Sequence, residues 1–141
     1  MTQEDREWLV RMFQERGRFR VSDNGGTIAS IVFDGDASAE AERAAKMTGL
    51  GHLNRQQSSD RFPSGAWWWN VTRKFECARL AGILYGEDLG DKQPYFDLWV
   101  VAVDDLVNKR RWHAKVVAEE MRLVHVVQTP VQRCTEGKRS A

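Results

Sequence analysis

Apolar positions recur at helical spacing near the start of the chain. Trp8, Leu9, Met12 and Phe13 share one stripe of residues 4–15, and Gly17 is placed to end that helix. The period then shortens to two. In RFRVS (18–22), Phe19 and Val21 alternate with Arg18, Arg20 and Ser22, so the two sets face opposite sides of a strand. Asp23, Asn24, Gly25 and Gly26 predict a tight hairpin turn, with TIASIVF (27–33) as the returning strand. Asp36 or Ser38 can cap a second helix with residues 37–47 as its body, closing at Gly49. HLNRQ (52–56) and AWWWNVT (66–72) read as a second hairpin around the polar loop SSDRFPSG (58–65). A third helix follows to about Tyr85, and residues 94–128 are helical in two pieces with a break near Asn108. Pro130 is expected to end the last piece, so that residues 1–129 form one domain and 130–141 a flexible C-terminal tail.

The order α-β-β-α-β-β-α plus C-terminal helices predicts an α+β fold. Two hairpins would make a four-stranded antiparallel sheet with helices over one face and the other face left open. Alternation then fixes which side chains the open face carries. With Phe19, Val21, Leu53, Trp67, Trp69 and Val71 turned to the helices, the opposite set is Arg18, Arg20, Ser22, His52, Asn54, Gln56, Trp68, Asn70 and Thr72, joined by Ser30 from the second strand. These side chains suit base edges in a major groove, arginine to guanine and Asn or Gln to adenine. Arg55 and Arg61 could add phosphate contacts. The competing reading is a solvated sheet face, which usually includes Glu and Lys; this set has neither and includes a tryptophan.

Composition restrains that reading. Length and apolar content (141 residues, 42% hydrophobic) suit one soluble domain, and no apolar run nears the roughly 20 residues of a membrane span. MTQEDREW is no signal peptide, and Cys77 and Cys134 lie far apart, so a reduced cytoplasmic setting is expected. A net charge of +1 lacks the basic excess usual in nucleic-acid binders, so any basic footprint must come from distribution. The distribution is uneven: acids gather in the helices (Glu4, Asp5, Glu7; Glu40, Glu42; Asp104, Asp105; Glu119, Glu120), whereas the first strand carries only bases. His52, His113 and His125 have no metal-ligand spacing, His113 and His125 reading as ordinary helix residues, and no nucleophile elbow or phosphate-binding glycine loop is present.

Over roughly residues 7 to 101 the chain resembles the LAGLIDADG homing endonucleases. The resemblance rests on WLVRMFQERGRFRV (8–21) in the place of a motif helix entering a strand, TGLGHL (48–53), the aromatic strand WWWNV (67–71), and ARLAGILYGEDLGDKQ (78–93), in that order. LAGILYGED (80–88) looks closer to the signature string, but no pair of hairpins follows it, so it belongs to the third helix. The resemblance implies a sheet saddle on double-stranded DNA and Mg²⁺-assisted phosphodiester hydrolysis, with an acidic ligand just before the glycine that ends the motif helix. Arg16 holds that position, and a guanidinium repels Mg²⁺. The implied protein is therefore a DNA-binding member of a mobile-element or intron family with cleavage lost or impaired, needing no cofactor, in which Arg16 contacts phosphate. The alternative is an active Mg²⁺-dependent nuclease using Glu15, about 100° round the helix, as its catalytic metal-binding carboxylate, with Lys92 matching a lysine beside the active site. An RNA-binding intron maturase or a protein-binding module on the same fold stays open. The family's small residues at the helix-pairing positions are here Val10 and Arg11, which leaves homodimerisation through that helix doubtful. No membrane partner is expected.

Overall fold

The computed structural model describes residues 1–109 and 114–133. Along the chain come α1 (Gln3–Arg16), β1 (Gly17–Val21), β2 (Thr27–Asp34), α2 (Ser38–Thr48), β3 (His52–Gln56), β4 (Ala66–Val71), α3 (Lys74–Leu84), a 3₁₀ turn (Gly90–Lys92), α4 (Gln93–Val107) and α5 (Ala114–Arg133). The strands form one antiparallel sheet in the order β1-β2-β4-β3, so the two hairpins meet along β2 and β4.

Phe19, Ala29, Ile31, Phe33, Trp69 and Val71 are buried on one face of the sheet. Against them α1 lays its predicted stripe, with Trp8 parallel to Phe33 at 6.3 Å and Phe13 between Phe19 (5.1 Å) and Trp69 (6.0 Å). Phe96 and Trp99 of α4 close on Phe19 at 5.2 Å each. Leu80 and Leu84, from the LAGILYGED segment, are fully buried within α3 and at its end, and the described elements after it are helices. Cys77 is buried beside the Val71 and Thr27 carbonyls, which makes it a core thiol.

Two glycines are dictated by crowding. Gly17 ends α1 in an extended conformation (φ −80°, ψ 157°), not the left-handed one expected of a terminal glycine. Its role is close approach: a Cβ there would lie 2.5 Å from Phe13 Cδ1 and 2.7 Å from the Phe13 backbone. Gly17→Ala is therefore expected to destabilise the protein by about 1–3 kcal/mol through forced displacement, read as a lower urea midpoint at unchanged slope. Gly51 needs both its positive φ of 80° and its missing side chain, because a Cβ would lie 2.6 Å from Trp69 Nε1.

The structure revises several expectations. Neither Asp36 nor Ser38 caps α2, whose N-cap is Ala37 with no side-chain bond, although Gly49 closes it at φ 69° as expected. The first hairpin turns over Asp23, Asn24 and Gly25 (φ 93°), with Ser22 N–H donating to the Gly26 carbonyl at 2.9 Å. Ser22 thus lies beyond β1. Helix α5 continues through Pro130 to Arg133, since a proline late in a helix forfeits one backbone bond while its φ stays helical. The remainder of the expected tail, 134–141, and His113 lie outside the described residues. Among the described residues no helix is long and apolar enough to cross a membrane.

Candidate nucleic-acid interface

The register of the sheet sets the outward residues in rows. Arg18, Ser30, Asn70 and His52 stand side by side across all four strands. One row along, Val32, Trp68 and Asn54 align, and on the other side Arg20 pairs with Ile28. Apart from Val32, these residues and Thr72 line a shallow hollow of about 450 Å³ on the face away from the helices. Nine of the outward positions expected from alternation are therefore on one surface: Arg18, Arg20, Ser30, His52, Asn54, Gln56, Trp68, Asn70 and Thr72.

The surface is more internally bonded than a solvated face. Ser30 is 7% exposed and its hydroxyl donates to Asn70 Oδ1 at 2.8 Å. Trp68, half-buried, donates its indole N–H to Gln56 Oε1 at 2.7 Å and takes Phe62 edge-on at 6.4 Å. Phe62 belongs to the loop before β4, which folds back over this end of the sheet and brings Arg61 close to Arg18. Arg18 is held below the usual arginine pKa by burial and then by the charges of Arg20 and Arg61. Arg18, Arg20 and Arg61 have no ion pair among the described residues, so this part of the surface carries unneutralised positive charge.

Not every predicted residue joins it. Ser22 is spent in the turn, its hydroxyl bonded to Asn24 Oδ1 and accepting Gly26 N–H at 3.0 Å. Arg55 lies on the helix side, its guanidinium 5.7 Å from the Trp67 ring and donating to the Gly35 carbonyl, because it falls one residue out of step with Asn54 and Gln56. Three outward residues escaped the sequence reading: Ile28, Val32 and Asp34. Counting by twos from Ser30 along TIASIVFD finds all three, but their mixed character hides the period.

At the foot of α1, Glu15 is exposed and has no bonding partner among the described residues. Arg16 lies 3.6 Å from Asp34 at the end of β2. Lys92 reaches in from the 3₁₀ turn and donates to the Gly17 carbonyl at 2.6 Å, where its charge complements the helix terminus. Burial, and then Arg18, push the Lys92 pKa down. The residues here do not fit the Mg²⁺ that the resemblance implies: the exposed Glu15 carboxylate stands among Arg16, Arg18 and Lys92, the nearby Asp34 carboxylate is paired with Arg16, and the Gly17 carbonyl already holds an ammonium. Among the described residues no three His, Cys, Asp or Glu side chains gather as metal ligands.

No sequence-family model matches the chain, and no curated protein does. Solved structures do. An archaeal intron-encoded homing endonuclease, I-Vdi141I, complexed with DNA, superposes with a TM-score of 0.71 at 16% identity, covering 86% of this chain and 84% of that one. The homing endonuclease I-CvuI in complex with its target gives 0.71 at 14% identity over 87% and 85%. The LAGLIDADG meganuclease I-AabMI bound to uncleaved DNA gives 0.63 at 17% identity, but this chain spans only 37% of its length. At such identities the likeness is one of architecture: this chain has the fold of the LAGLIDADG homing endonucleases.

Proposed function

We propose that this protein binds double-stranded DNA through the open face of its sheet and does not cut it. The observation that carries the reading is the cluster of Arg18, Arg20 and Arg61, mutually repelling and unpaired with carboxylates among the described residues, on a sheet face lined by amides and hydroxyls. A polyanion would relieve that repulsion, and a two-stranded ribbon fits a major groove. Ile28 and Val32 add apolar contacts suited to thymine methyl groups. The solved structures of like fold that contain DNA support the same partner.

Cleavage is a different matter. With Arg16 where an acid would be needed, Asp34 paired with it, and Lys92 on the Gly17 carbonyl, Glu15 is a carboxylate set among cations. Incubation of the protein with supercoiled plasmid and duplexes from its own genomic neighbourhood, in Mg²⁺ or Mn²⁺, is expected to leave both intact. Cutting that disappears in Glu15→Gln would instead make the chain a metal-dependent nuclease. RNA is the weaker partner, because Trp68, the aromatic best placed to stack an unpaired base, is tied to Gln56 and has Phe62 perpendicular to it at 6.4 Å. Arg11 is exposed on α1 and Val10 half-buried, which disfavours close pairing of two such helices.

A further inference from the structure

Two amides on the open face have their oxygens occupied. An indole N–H can only donate, so Gln56 must turn its carbonyl oxygen to Trp68 Nε1, at 2.7 Å, and leave its NH₂ facing away. Asn70 gives its oxygen to the Ser30 hydroxyl at 2.8 Å. Ser30 is buried under its neighbours in the central strand, and its hydroxyl bonds to nothing else among the described residues. The side chains of Arg18 and Arg20 are donors without acceptors. Unclamped acceptors on this face are left to His52, Asn54 and Thr72.

An unrestrained Asn or Gln reads adenine by using both ends of the amide, donating to N7 and accepting from the exocyclic amine. An amide whose oxygen is held by a neighbour keeps one lone pair but can no longer turn that oxygen freely to an adenine amine, so the NH₂ is the end left free to meet a base. Guanine presents two acceptors in the major groove, O6 and N7, whereas cytosine presents a donor and adenine a donor beside its acceptor. We infer that Trp68 and Ser30 set base specificity: by engaging the oxygens of Gln56 and Asn70 they convert two adenine readers into donors, which select acceptor-rich edges, guanine foremost, together with Arg18 and Arg20. Both act as positioning residues, through the amides they hold. The inference rests on the sheet being the duplex-reading face.

The test is selection of bound duplexes from a randomised library by the full chain, followed by the same selection with Trp68→Phe and with Ser30→Ala. The wild type is expected to enrich guanine. Trp68→Phe keeps an aromatic ring but removes the N–H, and it is expected to raise adenine relative to guanine at one position of the selected site by about tenfold. Ser30→Ala should do the same at a second position, and it carries the test alone should Trp68→Phe not fold. A structural role would weaken binding without changing the preferred bases. Duplexes selected with no guanine preference, or with one that neither variant alters, would overturn the inference while leaving DNA binding standing. Retention of no duplex at all would overturn the DNA-binding reading first, and this inference with it.

Discussion

Arg18→Ala combined with Arg20→Ala is expected to weaken duplex binding about 100-fold at moderate salt. Each guanidinium that meets a base edge contributes about 1–3 kcal/mol, and about 1.5 kcal/mol from each gives that factor. If instead they meet phosphates, the slope of log affinity against log salt should fall by about two. A fluorescence-anisotropy titration across several salt concentrations distinguishes the two modes. The control is Lys46→Ala with Arg79→Ala, which removes the same charge from exposed positions on α2 and α3. Its effect should stay within about threefold, since specific docking engages one face. Equal losses in the two double variants would mean that net charge alone drives binding and that the sheet is not the site. Thermal melts of both double variants, followed by circular dichroism, separate a loss of binding from a loss of fold.

The fold was legible wherever one period ran unbroken between two strong punctuators. RFRVS lies between Gly17 and the DNGG turn, and its alternation placed Phe19 and Val21 inward and the arginines outward as found. The strict order of two hairpins around one helix then left only the pairing of β2 with β4 to be guessed, and packing of Trp69 against Phe13 requires it. Caps were less legible, because a cap is a local bond whose formation depends on the chain's entry angle. Asp36 and Ser38 are both suitable types, yet the turn at Gly35 delivers the chain so that neither side chain bonds the helix start. Gly17 was assigned to the right place for another reason: its absent Cβ, not a left-handed φ, lets β1 leave under Phe13.

The candidate surface was legible as a set of positions but not as a network. Alternation gives the side of the sheet on which a side chain lies, and that was enough to collect Arg18, Arg20, Asn70 and His52. Diagonal bonds such as Trp68 to Gln56 depend on register, which sequence does not state, so the amide orientations were beyond reach. Arg61 became a neighbour of Arg18 only because Phe62 anchors its loop on Trp68. A polar string with one phenylalanine, RFPSG, gives a weak hint of such an anchor. The net charge of +1, a sum over the chain, says nothing of where Arg18, Arg20 and Arg61 gather.

Trp69→Ala should be the most damaging single substitution in the described core. The side chain is fully buried in the central strand β4, edge-on to Phe13, and its indole N–H donates to the Leu50 carbonyl at 2.9 Å. Truncation removes a large apolar volume that the flanking strands cannot close, for which about 3–5 kcal/mol is typical, and it also strands a buried carbonyl at a further cost of about 1–3 kcal/mol. Against a domain stability of about 5–15 kcal/mol, this is enough to leave much of the protein unfolded at physiological temperature. Trp69→Phe separates the two contributions, because it keeps most of the ring volume and loses the donor. A urea titration followed by far-UV circular dichroism should therefore rank wild type above Trp69→Phe, and Trp69→Ala far below both. Equal midpoints for Trp69→Phe and wild type would show that the bond to Leu50 contributes little. A Trp69→Ala midpoint near that of wild type would mean that α1 and the sheet do not close over this residue, and the geometry that presents the arginines outward would lose its foundation. The same scaffold links stability to recognition: Trp68 and Asn70 flank Trp69 in β4, so a strand that loses its inward anchor also loses the register that aligns Asn70 with Ser30 and Arg18. Partial destabilisation should accordingly lower base selectivity before it abolishes duplex binding, a sequence of losses that urea-dependent binding measurements on Trp69→Phe can follow.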